Sequence, residues 1–393
     1  NSLNIALQPG VSSRIVNPSK YFDTILWSGE KSGSGGLTRF ISTTLQSDLV
    51  WIKQRNQAYS TGWQIYDSVR GAGAEKEINC SGTAAEGAGN IETYGWLNAF
   101  NSTGFEVKGG STDYDYVDKS SVNYVAYCWK AGGNKGTFNI DDVAYASAAA
   151  AGLGGGHISP TACSINTRAG FSILKYSGNS SNAQNMAHGL GALPDFVVCK
   201  NLGTSYNWFI YHSSAMTNGQ NAGLYFTNSA LVTGYGTQPF GTFTDEYLNF
   251  GNNDGVNGAY DYICYAWKNI PGLQKFGKYT GNNSAANGPF IYLGFKPALV
   301  VIKRVEATGK WNVQDYRRTT YNGEGTTSLQ WDTNSTEATI GSGYQRDQLS
   351  NGFRLRNGNT ETNASGSTYI YMAWAKEALG SIYGAQATGR GEV

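Results

Sequence analysis

The sequence predicts an all-β protein of three tandem β-sandwich (jelly-roll-like) repeat units, each of about 100 residues. Short runs rich in Val, Ile, Tyr, Phe and Trp alternate with turns rich in Gly, Asn, Ser and Thr along the 393 residues, which is the pattern of antiparallel sandwiches. Aromatic residues make up 13% of the chain and Gly occurs 52 times, a composition unusual for helical enzymes. A motif of four strands that recurs three times is the third observation.

All four segments of the motif have the composition of strands with adjoining turns. The opening strand ends in an aromatic residue and a turn: FDTILWSG, FSILKYSG and LQKFGKYTG. The Lys strand is apolar around one Lys: SDLVWIKQR, PDFVVCKNL and PALVVIKRV. The Trp strand begins with Trp: GWQIYDS, NWFIYHS and KWNVQDY. The closing strand ends near a second Trp: NYVAYCWKAGG, DYICYAWKNI and TYIYMAWAKE.

The spacing within the motif agrees between the copies, which predicts three homologous units. The Lys of the Lys strand precedes the Trp of the Trp strand by 10, 8 and 8 positions, and that Trp precedes the Trp of the closing strand by 66, 59 and 63 positions. The predicted organisation is an N-terminal arm (1–20), repeat 1 (21–132), an Ala/Gly-rich linker (133–170), repeat 2 (171–272), repeat 3 (273–381) and a C-terminal tail (382–393). The Ala/Gly block of the linker suits either a short helix or a flexible connector.

The Trp residues of the Trp strands and the closing strands are expected to anchor the cores of the units. Successive side chains of a strand point to opposite faces. Val125, Tyr127 and Trp129 therefore share one face, whereas Ala126 and Cys128 share the other. A strand that is apolar on both faces is buried in a sandwich, although a stacking platform for sugars is the alternative. The predicted core anchors are Trp63, Trp129, Trp208, Trp267, Trp311 and Trp374.

One Lys in each copy, Lys53, Lys200 or Lys303, lies in an otherwise apolar strand. Three orientations are open: outward from the sheet, along the surface toward a sheet edge, or paired with a carboxylate of the Trp strand such as Asp67. The second copy has His212 at the position of Asp67, which weakens that pairing as a general rule.

The charge and cysteine content argue against several classes of protein. Charged residues make up 15% of the chain and the net charge is +1, so the strong basic surface of a nucleic-acid binder is missing. The sequence contains no run of about 18 apolar residues, so no membrane span is predicted. The start, NSLNIALQPGVSSRIV, lacks the regions of a signal peptide, and its first residue, Asn, is that expected of a processed or partial chain. The five cysteines are expected to be buried free thiols of a protein assembled in a reducing cytoplasm.

Several stretches together resemble a repeat family of uncharacterised structural proteins of marine bacteriophages, which are tail-fibre-like or other virion proteins. The stretches are DLVWIKQR, YDSVRG, YVAYCWKAGG, FSILKYSGN, HGLGALPDFVV and NASGSTYIYMAWA. The resemblance runs from about Phe22 to Ala375. The second copy departs most, since YHSS replaces YDSVRG and no GF precedes its last strand. The resemblance implies a virion setting and no established functional residues.

No catalytic motif is apparent, and neither an enzymatic activity nor a cofactor is expected. The sequence has no GxSxG, its three His lack zinc-ligand spacing, and its Gly-rich stretches do not connect a strand to a helix. The densest acidic cluster holds Asp113, Asp115 and Asp118. We interpret it as a polar loop, with a weak calcium site or a glycosidase carboxylate pair as the alternatives.

Contact with a glycan or receptor would require exposed aromatic rings beside polar loop residues, because rings stack on sugar faces while polar groups bond hydroxyls. The candidates are Tyr94, Trp96, Tyr114, Tyr116, Tyr235 and Tyr344.

The expected function is that of a non-enzymatic virion structural protein of a bacteriophage, either tail-fibre-like or capsid-decorating, that acts in particle assembly and host-surface attachment. The alternative is a carbohydrate-binding, lectin-like adhesion module. The expected partners are other virion proteins, copies of the chain itself (a trimer if it forms a fibre) and host-surface polysaccharide, with no nucleic acid. The expected location is the virion, after assembly in the host cytoplasm.

Overall fold

β-Strands form nearly all of the regular structure, as the alternation of apolar runs and turns predicts. The computed structural model describes residues 14–33, 35–57, 62–89, 91–112, 116–318, 322, 327–339 and 343–378. Among these residues the helical segments are short: 3-10 turns at Pro18–Lys20 and Ala74–Lys76, and one α-helix, α1, at Ile91–Tyr94. The all-β sandwich class is confirmed. None of the described helices is long and apolar enough to cross a membrane.

The first region of the molecule has an inner sheet and an outer sheet. The inner sheet has the strand order β1-β8-β3-β4-β5, and the outer sheet has the order β2-β7-β6. The strands are β1 Phe22–Ser28, β2 Thr38–Ser42, β3 Leu49–Gln54, β4 Gln64–Asp67, β5 Ile78–Asn79, β6 Trp96–Asn101, β7 Gly104–Lys108 and β8 Asn123–Trp129.

The second region has a larger inner sheet, in the order β10-β9-β11-β12-β19-β14-β15, and two-stranded outer sheets β13-β18 and β16-β17. Its strands are β9 Phe138–Ile140, β10 Val143–Tyr145, β11 Ala162–Asn166, β12 Phe171–Ser177, β13 Gln184–Ala187, β14 Phe196–Asn201, β15 Phe209–His212, β16 Ala222–Gly223, β17 Val232–Thr233, β18 Tyr247–Phe250 and β19 Asp261–Trp267.

The third region has the inner sheet β20-β28-β22-β23-β24-β25 and the outer sheet β21-β27-β26. Its strands are β20 Gln274–Thr280, β21 Phe290–Tyr292, β22 Phe295–Arg304, β23 Asn312–Asp315, β24 Thr327–Gln330, β25 Ala338–Thr339, β26 Arg346–Leu349, β27 Gly352–Leu355 and β28 Thr368–Ala378.

The four motif strands occur in the same order in each inner sheet. The opening strand pairs with the closing strand, which pairs with the Lys strand, which pairs with the Trp strand. All these pairings are antiparallel. The closing strand is the last strand of its region along the chain, yet it lies inside the sheet. Its residues are buried on both faces because each face packs in a hydrophobic core: in β8, Val125, Tyr127 and Trp129 lie in one core and Tyr124, Ala126 and Cys128 in another.

Alternation along the inner strands produces two kinds of hydrophobic core. In β3, Leu49 and Trp51 face a large core shared by the inner sheets of all three regions. Val50 and Ile52 face a separate core between the inner and outer sheets of the first region. The third region has a local core of the same kind, which contains Ile302. The shared core is what joins the three regions.

The predicted linker, 133–170, belongs to the second region rather than forming a separate connector. Its strand β11 pairs with β12, and β9 pairs in parallel with β11, which extends the inner sheet. The Ala/Gly block forms turns instead of a helix, because its glycines end the first turn of backbone hydrogen bonds. The segment just after this block lies against the outer sheet, where the Ile158 amide donates to the Asn185 carbonyl of β13 at 2.9 Å.

The described end of the N-terminal arm lies at the junction of the second and third regions. Ile15 is 1% exposed and packs with Ala169, Ile270 and Leu273. Its amide donates to the Pro271 carbonyl at 3.0 Å. The rest of the arm, residues 1–13, and the predicted tail, 382–393, lie outside the described residues.

Candidate functional site

The Trp of each closing strand meets the other two inside the shared core. Ring centroids lie 6.2 Å apart for Trp129 and Trp267, 5.3 Å for Trp129 and Trp374, and 6.1 Å for Trp267 and Trp374. The rings are tilted by 60° to 75°, so each pair is edge-to-face, as ring quadrupoles favour. This central Trp triangle brings strands β8, β19 and β28 together. None of the six predicted anchors is more than 2% exposed.

The Trp residues of the Trp strands connect the regions in a cycle. Each indole N–H donates to a backbone carbonyl of another region, in the direction first to third, third to second and second to first. The contacts are Trp63 to Gln330 at 2.7 Å, Trp311 to Tyr225 at 2.8 Å and Trp208 to Asn79 at 2.9 Å. Since each region both donates and accepts, the set closes on itself.

The Lys residues of the Lys strands follow the same cycle. Each is at most 1% exposed, so the outward orientation considered for them is wrong. Burial lowers the pKa of each ammonium to about 8. Each ammonium reaches a carbonyl of the neighbouring region: Lys53 to Asn334 at 2.9 Å, Lys200 to Thr83 at 3.2 Å and Lys303 to Asn228 at 3.4 Å. Backbone carbonyls, rather than the carboxylates of the Trp strand, are therefore the acceptors.

A buried Tyr–Asp–Arg triad joins the first region to the third. The hydroxyl of Tyr127 donates to Asp315 Oδ2 at 2.8 Å, and Arg318 Nη2 donates to the Tyr127 hydroxyl at 3.2 Å. Arg318 Nε also pairs with Asp315 Oδ2 at 2.5 Å, with both side chains fully buried. Burial raises the pKa of Tyr127 well above its ordinary value, so the phenol keeps the proton that it donates.

A second triad joins the second region to the first. The hydroxyl of Tyr265 donates to Asp67 Oδ2 at 2.8 Å, and Arg70 Nε pairs with the same oxygen at 2.5 Å. The Asp67 side chain also accepts the amides of Val69 and Arg70 at 3.1 Å and 2.9 Å. This local turn places an Asp and the Arg three positions later side by side.

At the contact between the third region and the second, other residues occupy the three positions of the triad. Met372 occupies the position of the Tyr, His212 that of the Asp and Ala215 that of the Arg. The His212 Nδ1 atom accepts the amide of Ser214 at 3.1 Å, and Nε2 therefore donates to the Tyr371 carbonyl at 3.2 Å. The ring is thus neutral, and burial lowers its pKa to about 4.

The sequence pattern predicted the Trp residues of these interfaces but not Tyr127 and Tyr265 or the Arg residues beside them. The signal is present in the sequence. YDSVRG and QDYRR each place Arg three positions after Asp at the end of the Trp strand, and the first two copies have Tyr two positions before the Trp of the closing strand. Their contact across regions required the tertiary arrangement.

The described candidate glycan-contact residues do not form one exposed surface, although two of them, Tyr94 and Tyr116, contact each other. Tyr116 is only 6% exposed and packs on Tyr94 at 4.7 Å, so the expectation of an exposed ring is wrong for it. Tyr235 and Tyr344 are half-buried, and their hydroxyls already have hydrogen-bond partners within the protein: Tyr225 at 2.7 Å and Glu361 at 2.9 Å. Tyr114 lies outside the described residues.

Trp96 is half-buried and lies in a cleft of about 380 Å³ on the first region. The other lining residues are Glu92, Lys108 and Ser111 and the glycines 35, 36, 109 and 110. The Lys108 ammonium lies 5.2 Å from the centroid of the Trp96 ring. One ring, one cation, one carboxylate and a rim without side chains line this open cleft, whose size accommodates a small ligand.

Of the three acidic candidates, the structure describes only Asp118. Asp118 is 1% exposed and its Oδ1 pairs with Arg39 Nη1 at 2.9 Å. Asp113 and Asp115 lie outside the described residues. Among the residues that the structure describes, no three His, Cys, Asp or Glu side chains are grouped so that they could hold a metal ion.

Comparison with known proteins identifies a family. The family model described as a domain of unknown function (DUF7483) matches residues 17–378. No curated protein and no solved structure matches the chain.

Proposed function

The chain belongs to the DUF7483 family, and we propose that it is a non-enzymatic structural protein of a bacteriophage particle, tail-fibre-like or capsid-decorating. In this proposal its three regions are tandem copies of one unit, closed around the central Trp triangle.

The cyclic contacts carry this proposal. Two buried Asp–Arg pairs, three buried Lys residues and a neutral His212 all have partners across or beside the interfaces between regions. These ionisable side chains thus make internal contacts between regions. Interlocked contacts of this kind suit a rigid building block, since buried polar groups of each region have their partners in another region.

The virion setting rests on the resemblance of the motif to structural proteins of marine bacteriophages. Other virion proteins and further copies of the chain are the proposed partners, with a trimer if the chain forms a fibre. The chain would assemble in the host cytoplasm and remain in the particle.

The test is co-purification with particles. Particles from the phage that encodes the chain are separated on a density gradient, and each fraction is assayed for the chain by mass spectrometry. We expect the chain to peak with the major capsid protein, while an abundant host enzyme serves as the control for carry-over. A chain that stays with the host enzyme contradicts the proposal. Particle imaging then distinguishes a fibre from a capsid position.

The Trp96 cleft favours a second function, namely carbohydrate binding. A neutral saccharide offers hydroxyls that bond Glu92, Lys108 and Ser111, while its apolar face packs on indole. The glycine rim lets a flat ligand approach the backbone. The cleft is thus the surface through which such a particle protein would hold a host polysaccharide.

A glycan array with the purified chain tests this second function. We expect binding that is lost in Trp96→Ala and kept in Phe40→Ala, which removes another exposed ring of the same outer sheet. If no glycan binds, or if both variants bind as the parent does, carbohydrate binding at this cleft is wrong.

A further inference from the structure

Two thiols face each other across adjacent strands of the second region. Cys199 of β14 is paired directly with Cys264 of β19, and the two Sγ atoms lie 3.2 Å apart. We propose that these residues form an intramolecular disulfide under oxidising conditions, which covalently joins two central strands of the second region. The proposal does not depend on the function proposed above.

The backbone already satisfies the main requirement for the bond. Directly opposed residues of an antiparallel pair have Cα atoms about 4.5 or 5.5 Å apart. Disulfides need Cα separations of about 4.4 to 6.8 Å. The two sulfurs would have to approach from 3.2 Å to a bond length of about 2 Å. Side-chain rotation provides such a shift without moving the strands.

The pairing is specific to this position. Cys128 is opposite Asp23 and Val50, and Cys163 is opposite Leu174. Cys80 follows β5 in a turn. None of these three cysteines has another Cys as its partner in the described strands.

The corresponding pairs in the other regions are Ile52 with Ala126 and Ile302 with Tyr371. The position therefore accepts ordinary apolar packing in the other two regions. Only in the second region does it hold two side chains that can form a covalent bond.

The chemistry is a two-step thiol–disulfide exchange with a low-molecular-weight disulfide as the oxidant. One cysteine thiolate attacks the oxidant, forms a mixed disulfide and releases one small thiol. The second cysteine thiolate then displaces the other small thiol as the Cys199–Cys264 bond forms. The two cysteines lose two protons and two electrons, and the oxidant becomes two thiols.

Burial determines when the bond can form. Both side chains are fully buried, and burial raises the pKa of Cys264 well above its ordinary value. The native protein should therefore react slowly, because the thiolate is the attacking species. Oxidation is expected during folding or when the strands open, and the finished bond would be shielded from reductants in the same way.

The test is refolding of the full chain in a mixture of oxidised and reduced glutathione. The product is denatured, alkylated without reduction, digested and analysed by mass spectrometry. We expect two of the five cysteines to escape alkylation, a linked peptide pair that contains Cys199 and Cys264, and a thermal midpoint above that of the reduced chain.

Matched variants make the result decisive. Cys199→Ser should leave every remaining thiol alkylated, whereas Cys128→Ser should keep the link. If refolding fails, the natively purified chain is oxidised with diamide near the onset of unfolding and analysed in the same way. Five alkylated thiols, or a link between any other two cysteines, would overturn the proposal.

Discussion

The first-to-third interface and the third-to-second interface have different side chains at corresponding positions. The first uses a buried triad of Tyr127, Asp315 and Arg318, and the second uses Met372 and a neutral His212. A buried polar group is costly when it lacks its partner, whereas exchanging the whole set for apolar groups can be nearly neutral. We therefore expect this buried polar contact to tolerate exchange of the whole set better than the loss of one member.

The largest effect is expected when one member of the triad at the first-to-third interface is removed and the other two remain. Asp315→Ala removes the acceptor of the Tyr127 hydroxyl, of Arg318 Nε and of two backbone amides, and it leaves Glu337 as the remaining carboxylate partner of the buried Arg318 charge. We expect a loss of about 3 to 5 kcal/mol in the free energy of unfolding, measured by equilibrium urea unfolding at pH 7.

The matched control converts the whole set to that of the other interface. Tyr127→Met, Asp315→His and Arg318→Ala together should be less destabilising than Asp315→Ala alone. If the triple variant is the less stable of the two, exchange as a set does not explain the third-to-second interface.

The next effect is specific to the interface that holds His212. Its folded pKa of about 4 lies below its unfolded value of about 6.5, so only the unfolded chain binds a proton between these values. Its contribution to stability is therefore complete above pH 6.5 and is lost as the pH falls toward 4. We expect the parent to lose about 2 to 3 kcal/mol more than His212→Gln between pH 7 and pH 4.5. Parallel urea midpoints for parent and variant would contradict this.

A smaller effect is expected from Lys200→Met, which sharpens the comparison because each of the three interfaces has its own Lys at the corresponding position. The carbonyls of Thr83, Asn201 and Tyr206 would lose their donor. We expect a loss of about 1 to 3 kcal/mol at pH 7 by urea unfolding.

The pH dependence of that loss provides the check on Lys200. The folded pKa of Lys200, about 8, lies below the unfolded value, so burial penalises the charged form fully below pH 8. The penalty is relieved as the pH rises toward 10.5, and the parent should gain on the variant over that range. A constant difference would show that the ammonium is not desolvated.

The smallest effect is expected from Trp63→Phe. It keeps most of the ring but removes the indole N–H bonded to the Gln330 carbonyl across the first-to-third interface. We expect the loss in the free energy of unfolding to exceed that of Trp51→Phe by about 1 kcal/mol. Trp51→Phe is the control for the cavity, since Trp51 is 1% exposed and its indole N–H has no hydrogen-bond partner among the described residues. Equal losses in the two variants would contradict a role for the Trp63 bond.

Local composition was enough to predict the strands. Runs such as LVWIKQ and NYVAYCW are apolar on both faces, and they form inner strands β3 and β8. The burial of the Trp residues of the closing strands was also predictable, because a strand that is apolar on both faces is covered on both. The linker was harder to predict, since β9 and β11 gain their pairing partners only from the rest of the second region.

Sequence by itself therefore determined the strand content, the motif and the burial of the Trp anchors, but not the burial of Tyr116 or of the Lys residues of the Lys strands. Tertiary structure decided what those residues touch: the three Trp rings of the closing strands meet each other, and each Lys of the Lys strands reaches a carbonyl of another region. The physical reason is one of range. Alternation and turn chemistry act over a few residues, whereas the partner of Tyr127 is 188 positions away, and only the closing of the shared core brings it into contact.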